Sequence, residues 1–382
     1  MFLGRMRNND ACGFFVTCIM EELAVKLEDI GWNSVFEDHF NEYESGGFDA
    51  ARVTLEHKNS YVINTMCGEM PAILTGKMHY DAMTSDDLPV VGDWVVVRIL
   101  DENPPRAIIH AILPRSSKFS RKEAGEKTTE QLISANIDTV FIVIGLDHNF
   151  SMRRVERYLT LAWQSGAAPV VLLTKADLCD NVDDRLLDVK TSVPGVPVHA
   201  LSVFENSGLG TLDAYLTKGR TVALLGSSGV GKSTIINYLL GKEVQRTQEV
   251  RDFDSKGRHT TTHREMFMLP YCALVIDTPG MRELQLWNAE DGLSETFKDI
   301  EDWARTCRFP DCRHGDEPGC NVRQALDDGR ISPARFENYQ KMLRELDYLN
   351  RKQDKSAASA ERQKWKKIHK DIKSIMKERD KP

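Results

Sequence analysis

One eight-residue segment, and its place in the chain, limits this fold more than any other feature. Gly226, Ser227, Ser228, Gly229, Val230, Gly231, Lys232 and Ser233 satisfy G-x-x-x-x-G-K-[ST] at every fixed position. The segment follows an apolar run at 221–225 and precedes a helical pattern from Thr234 to Leu240. That is the strand–loop–helix context a phosphate-binding loop needs. Yet Thr174-Lys175-Ala176-Asp177, which reads as a guanine-specificity motif, stands upstream of it. In the usual order that motif comes after the loop. The inversion points to a circularly permuted GTPase domain.

The other motifs fit the same site. The loop glycines let backbone amides approach phosphate oxygens. Lys232 would reach the β- and γ-phosphates, the Ser233 hydroxyl would bind Mg²⁺, and Thr234 follows in the first helical turn. Asp277-Thr278-Pro279-Gly280 closes the apolar run 273–276. A carboxylate at that strand end suits a water-mediated Mg²⁺ ligand, and the Gly280 amide would face the γ-phosphate. Between loop and metal turn lies Lys256-Gly257-Arg258-His259-Thr260-Thr261-Thr262. Any of the three threonines can serve as the switch I ligand of metal and γ-phosphate; Thr261 is our candidate. The Asp177 carboxylate can accept from both N1–H and N2–H₂ of guanine, a paired donor that adenine lacks. The stem of Lys175 would pack over the base, and Thr174 replaces the commoner Asn. Ser202-Val203, after the run 198–201, stands where a backbone N–H would meet guanine O6.

Cys307, Cys312, His314 and Cys320 form C-x₄-C-x-H-x₅-C. Three thiolates and an imidazole make a closed tetrahedral Zn²⁺ set with no position for water, so the expected ion is structural. The alternative is free cysteines in a loop. Cys12, Cys18, Cys67, Cys179 and Cys272 lack such company and read as ordinary thiols.

With 382 residues the chain has room for two or three domains. A net charge of −7 argues against indiscriminate nucleic-acid binding. The charge is uneven, however: residues 351–382 carry twelve Lys/Arg against five Asp/Glu. This basic tail is either a nucleic-acid contact or a solvated helix. No apolar run reaches the roughly 18 residues of a membrane span. The run at 14–20 is short, meets Glu21-Glu22 at once and has no leader cleavage signature. We expect a cytoplasmic monomer without membrane contact.

The expected architecture is multidomain α/β. Residues 1–47 form an N-terminal extension in which Trp32, Phe36 and Phe40 suggest a short docked helix ended by Ser45-Gly46-Gly47. Residues 48–115 show strand patterns at 51–56, 61–66, 72–78, 93–100 and 106–113, with Pro89 to Trp94 as a turn into the fourth. Five strands at this spacing suit an OB-type β-barrel, which binds oligonucleotides or merely scaffolds. Residues 116–292 are the permuted GTPase domain. They open on a polar linker at 116–129 and continue with strands at 139–144, 170–173, 198–201, 221–225, 265–269 and 273–276. Near-continuous Val/Ile/Leu runs there mean a mostly parallel sheet buried on both faces. Residues 293–350 form the helical zinc-binding domain, where Tyr339, Met342, Leu343, Leu346 and Leu349 make a stripe packed against the body. The basic helical tail is 351–382.

Taken together, the permuted motifs, the OB-like region and the cysteine cluster resemble the ribosome small subunit-dependent GTPase A family, the RsgA or YjeQ type. The resemblance covers roughly 48–350. It implies GTP and GDP as ligands, Mg²⁺ with GTP, one zinc ion, and binding to the small ribosomal subunit and its rRNA late in maturation. It also implies hydrolysis stimulated by the subunit and coupled to release. Met281 follows the metal turn where many GTPases place a water-orienting Gln; the family resemblance suggests His259 as the substitute. A plain loop histidine is the alternative. Three other functions stay open. In a nucleotide-switched ribosome-binding module, hydrolysis would be incidental. Asp177 argues against a P-loop ATPase or small-molecule kinase, and the closed metal set argues against a zinc-dependent nucleic-acid enzyme.

Overall fold

The computed structural model describes residues 26–57, 60–82, 84–122, 130–148, 150–241, 264–277 and 289–352. Its first elements are a 3₁₀ turn (Leu27–Ile30) and helix α1 (Ser34–Glu44). Asn33 starts α1, its side-chain oxygen accepting from the amides of Val35 at 3.0 Å and Phe36 at 3.3 Å. Trp32 meets Trp94 edge-on and Phe36 packs tilted against it, with centroids 4.7 and 5.7 Å away. The docked helix is therefore an aromatic plug on the domain that follows.

That domain is an OB-type barrel of β1 (Asp49–His57), β2 (Ser60–Thr65), β3 (Gly68–Leu74), β4 (Trp94–Leu100) and β5 (Arg106–Ile112). The strands close in the order β1-β2-β3-β5-β4-β1, with β3 and β5 parallel. Alternation puts Tyr61, Ile63, Met70 and Ala72 inside with Val53, Val95, Val97 and Ile109. The third strand ends earlier than its sequence pattern suggests. The Thr75 hydroxyl accepts from the Met78 amide at 3.2 Å and starts helix α2 (Gly76–Asp81), so Met78 is helical.

The first part of the stretch expected as a linker is structured. β6 (Lys118–Lys122) pairs antiparallel with β7 (Glu130–Ala135). Phe119, Leu132 and Ile133 of this ribbon are buried; its basic side chains hid the strand.

The nucleotide-fold sheet contains β8 (Thr139–Gly145), β9 (Ala168–Thr174), β10 (Val198–Ala200), β11 (Thr221–Leu225), β12 (Glu265–Met268) and β13 (Leu274–Asp277). Their order is β10-β9-β8-β11-β13-β12, and only β12 runs antiparallel. Helices α3 (Met152–Ser165), α4 (Val182–Ser192) and α5 (Lys232–Leu240) follow β8, β9 and β11. From β8 the chain winds outward one way; from β11 it winds the other. The strand order thus reverses between β8 and β11, and a crevice at their carboxyl ends is the expected ligand position. β12 continues the sheet into the barrel: Leu55 of β1 pairs with Glu265, and Arg264 lies 3.0 Å from Glu56.

Among the described residues the C-terminal region comprises α6 (Glu290–Thr296), α7 (Lys298–Ala304), α8 (Asn321–Asp327) and helix α9 at 333–352. Tyr339, Met342, Leu346 and Leu349 of α9 are buried in one core with Leu159, Leu293 and Phe297, as their helical spacing predicts. Among the described residues, no helix is long and apolar enough to cross a membrane.

Candidate functional site

The phosphate loop begins where buried β11 ends. A Cβ on Gly226 would lie 2.4 Å from the Val143 carbonyl oxygen, so only glycine lets the loop pass β8. Gly231 has φ 100°, a left-handed turn that hands the chain to α5 at Lys232. The Lys232 ammonium donates to the carbonyls of Gly226 and Ser227, both at 2.7 Å. It is thereby held across the loop. Ser233 and Thr234 occupy the first turn of α5, whose N-terminal dipole favours an anion.

The base motif joins this loop directly. The Thr174 hydroxyl lies 2.6 Å from the Val230 carbonyl and 3.3 Å from that of Ile144. The Thr in place of Asn thus links β9 to both the loop and β8. Lys175 has φ 58°, and its Nζ lies 2.8 Å from the carboxylate of Asp147. The Asp177 carboxylate accepts from the Ser202 hydroxyl. Ser202 therefore reaches the site through its side chain, because its amide donates to the Ser207 carbonyl at 3.0 Å within its own loop. Val203 is half-buried against the same core as Leu201.

Asp277 ends β13, which pairs with β11, so its carboxylate emerges at the same sheet edge as the phosphate loop. His259, Thr260, Thr261, Thr262, Gly280 and Met281 lie outside the described residues.

Three crevice residues escaped the sequence reading. Asp147 follows β8 and positions Lys175. Arg154, in the first turn of α3, approaches the Ser227 hydroxyl at 3.4 Å, and Tyr158 stands beside Ser227. Burial pushes the Tyr158 phenol above its ordinary value. Only Asp147 carried a sequence signal, a carboxylate just after a buried parallel strand.

The second cluster lies between α7 and α8. The ligand atoms of Cys307, Cys312, His314 and Cys320 all fall within 4.8 Å of one another. His314 Nδ1 is 3.7 Å from Cys307 Sγ and 3.6 Å from Cys320 Sγ, and those sulfurs are 4.0 Å apart. Zn–S bonds of about 2.3 Å and a Zn–N bond of about 2.0 Å give tetrahedral edges of about 3.5–3.8 Å. The four donors therefore fit a zinc site with little movement. Burial lowers the His314 pKa, favouring the neutral imidazole that ligates.

Comparison with known proteins agrees with this geometry. The RsgA GTPase family pattern matches residues 112–287. A protein of Opitutus terrae named small ribosomal subunit biogenesis GTPase RsgA is 47% identical, over 90% of this chain and 96% of its own. One of Listeria innocua, named small ribosomal subunit biogenesis GTPase RsgA 1, is 42% identical over 93% and 99%. The crystal structure of YjeQ from Thermotoga maritima superposes with a TM-score of 0.59 at 26% identity, covering 78% of this chain and 98% of that one. YloQ, described as a circularly permuted GTPase, gives 0.57 at 22% identity over 81% and 96%.

Proposed function

The chain belongs to the RsgA GTPase family, and from that membership we propose that it hydrolyses GTP on the small ribosomal subunit late in the subunit's maturation. Hydrolysis is stimulated by the subunit and coupled to release. The observation that carries the reading is the 2.6 Å contact from Thr174 to Val230, which joins base motif and phosphate loop despite their inverted order.

In this reading Asp177 selects guanine, Lys175 covers the base, and Ser202 and Val203 border it. Gly226 to Ser233 with Thr234 wrap the phosphates. Ser233 and Asp277 hold Mg²⁺, which when bound neutralises charge on the β- and γ-oxygens. Thr261 and Gly280 meet the γ-phosphate, and His259 orients the attacking water. Cys307, Cys312, His314 and Cys320 hold one structural zinc ion. Domains follow the divisions 1–47, 48–115, 116–292, 293–350 and 351–382, with rRNA as the partner of barrel and tail. The protein works as a cytoplasmic monomer.

The test is hydrolysis of GTP and ATP by the purified protein, with and without small ribosomal subunits. We expect slow GTP turnover, raised strongly by the subunit, and little ATP turnover. GTP turnover indifferent to the subunit would remove the ribosomal role and leave a permuted GTPase. Asp177→Asn should relax base choice, and His259→Ala should abolish the stimulated component.

A further inference from the structure

Helix α3 carries three arginines in its first two turns, and two are committed to the C-terminal helix. Arg153 lies 2.8 Å from Glu337, and Arg157 holds Glu345 through two contacts of 2.7 and 2.8 Å. Arg154 points the other way. Among the described residues it has no carboxylate partner, and its one hydrogen bond is the long contact to the Ser227 hydroxyl. A guanidinium gains little from such a contact and remains available to a stronger acceptor. Its place is also specific. The phosphate loop follows β11 and α3 follows β8, so loop and Arg154 flank the crevice where the strand order reverses. Lys232 is already held over the loop by Gly226 and Ser227, which makes Arg154 a second cation on the same side as Ser227.

We propose that Arg154 is a catalytic residue of the GTPase reaction, an arginine supplied in cis that contacts the γ-phosphate as charge develops there. The proposal rests on the GTPase reading above. In the step, a water oxygen bonds to the γ-phosphorus, and the bond from that phosphorus to the β–γ bridging oxygen breaks. Its electron pair stays on the β-phosphate of GDP, and the water proton leaves with phosphate or solvent. Arg154 gains and loses no proton. It stabilises the equatorial and bridging oxygens, as a fork donor can and a point charge cannot. With Met281 following the metal turn, no glutamine stands there to share that work.

The test compares Arg154→Ala, Arg154→Lys and Arg153→Ala in full-length protein, with and without small subunits. Single-turnover GTP hydrolysis is read beside the affinities for GDP and for GDP with aluminium fluoride, a transition-state mimic. We expect Arg154→Ala to lower the hydrolysis rate on the order of 10³-fold, the smaller end of the range for arginine fingers. Arg154→Lys should recover only part. GDP affinity should stay within about threefold while the aluminium fluoride complex weakens in step with the rate. Arg153→Ala should match the wild type. Arg154→Ala turning over at the wild-type rate, or losing GDP affinity as much as rate, overturns the proposal while the GTPase reading stands. A wild type that hydrolyses no GTP under either condition overturns both.

Discussion

The nucleotide-binding domain meets its two neighbours by different physics. Toward the barrel the joint is mostly backbone and neutral acceptors, with the largely buried ion pair of Arg264 and Glu56 at 3.0 Å beside them. β12 adds to β1, and the fully buried Arg52 donates to the carbonyls of Gly92 at 3.3 Å, Asn136 at 2.9 Å and Ile30, with its guanidinium 5.6 Å over Trp94. Burial pushes the Arg52 pKa down to about 10. Toward the C-terminal helices the joint is a row of ion pairs along α3. Glu156 meets Arg335 at 2.7 Å and Asn338 at 2.5 Å, Arg335 also meets Asp299, and Arg157 meets Glu345. The first joint depends mainly on shape and backbone satisfaction, and its ion pair is largely shielded from salt. The second depends on charge, so solution conditions can loosen one neighbour without the other.

The largest expected effect tests whether the charged joint stands without an intact cysteine cluster. Cys307→Ala should unfold the region around α8, since structural zinc contributes roughly 10 kcal/mol or more to small folds. Hydrogen exchange would then show 298–330 deprotected and the barrel unchanged; a protected α8 would mean that the ion pairs suffice. Arg52→Met should come next. It leaves the Ile30 and Asn136 carbonyls unpaired, while that of Gly92 keeps the Asn136 side-chain amide at 3.0 Å; the loss is on the order of 3–5 kcal/mol, read as a lower Tm of the barrel and its junction. Arg335→Ala should cost about 2–4 kcal/mol by stranding Glu156 in a buried setting. Urea titration followed through α9 checks it, and an effect below 1 kcal/mol would show that the joint is mainly apolar.

Two smaller effects sharpen the contrast. Raising the salt concentration should weaken the half-exposed pair of Arg153 and Glu337 and leave the barrel joint as it was. Exchange rates in α9 and β1 at low and high salt report this. The pH response has a defined sign. Burial is the largest influence on Glu156 and raises its pKa above the ordinary 4.5, against the opposing pull of Arg335 and Asn338. The folded state therefore binds this proton more tightly than the unfolded state does. That contribution is full below pH 4.5 and is lost as pH climbs through the folded value. Glu156→Gln should flatten this part of the stability profile; an unchanged slope would place the titration elsewhere.

What could be read from sequence follows from how each element is stabilised. β11 lies where its apolar run placed it, because a strand buried on both faces has little choice of composition. The barrel strands also lie close to where their spacing placed them, except that β3 ends early at Leu74, where the Thr75 cap starts a helix. β6 was missed because a two-stranded ribbon buries so few side chains that its composition resembles a loop. The phosphate loop and the cysteine cluster were legible because their chemistry demands fixed residue types at fixed intervals. Arg154 and Tyr158 were not, because they reach the site by the approach of α3 to a loop about seventy positions later, and no local pattern encodes that approach.

The continuity of β12 with the barrel has a mechanical meaning. The strand that launches the phosphate loop, β11, is tied through β13 to β12, and β12 is bolted to β1. A load on the nucleotide pocket therefore reaches the barrel wall through the hydrogen bonds of one sheet, which makes the barrel an abutment as well as a surface.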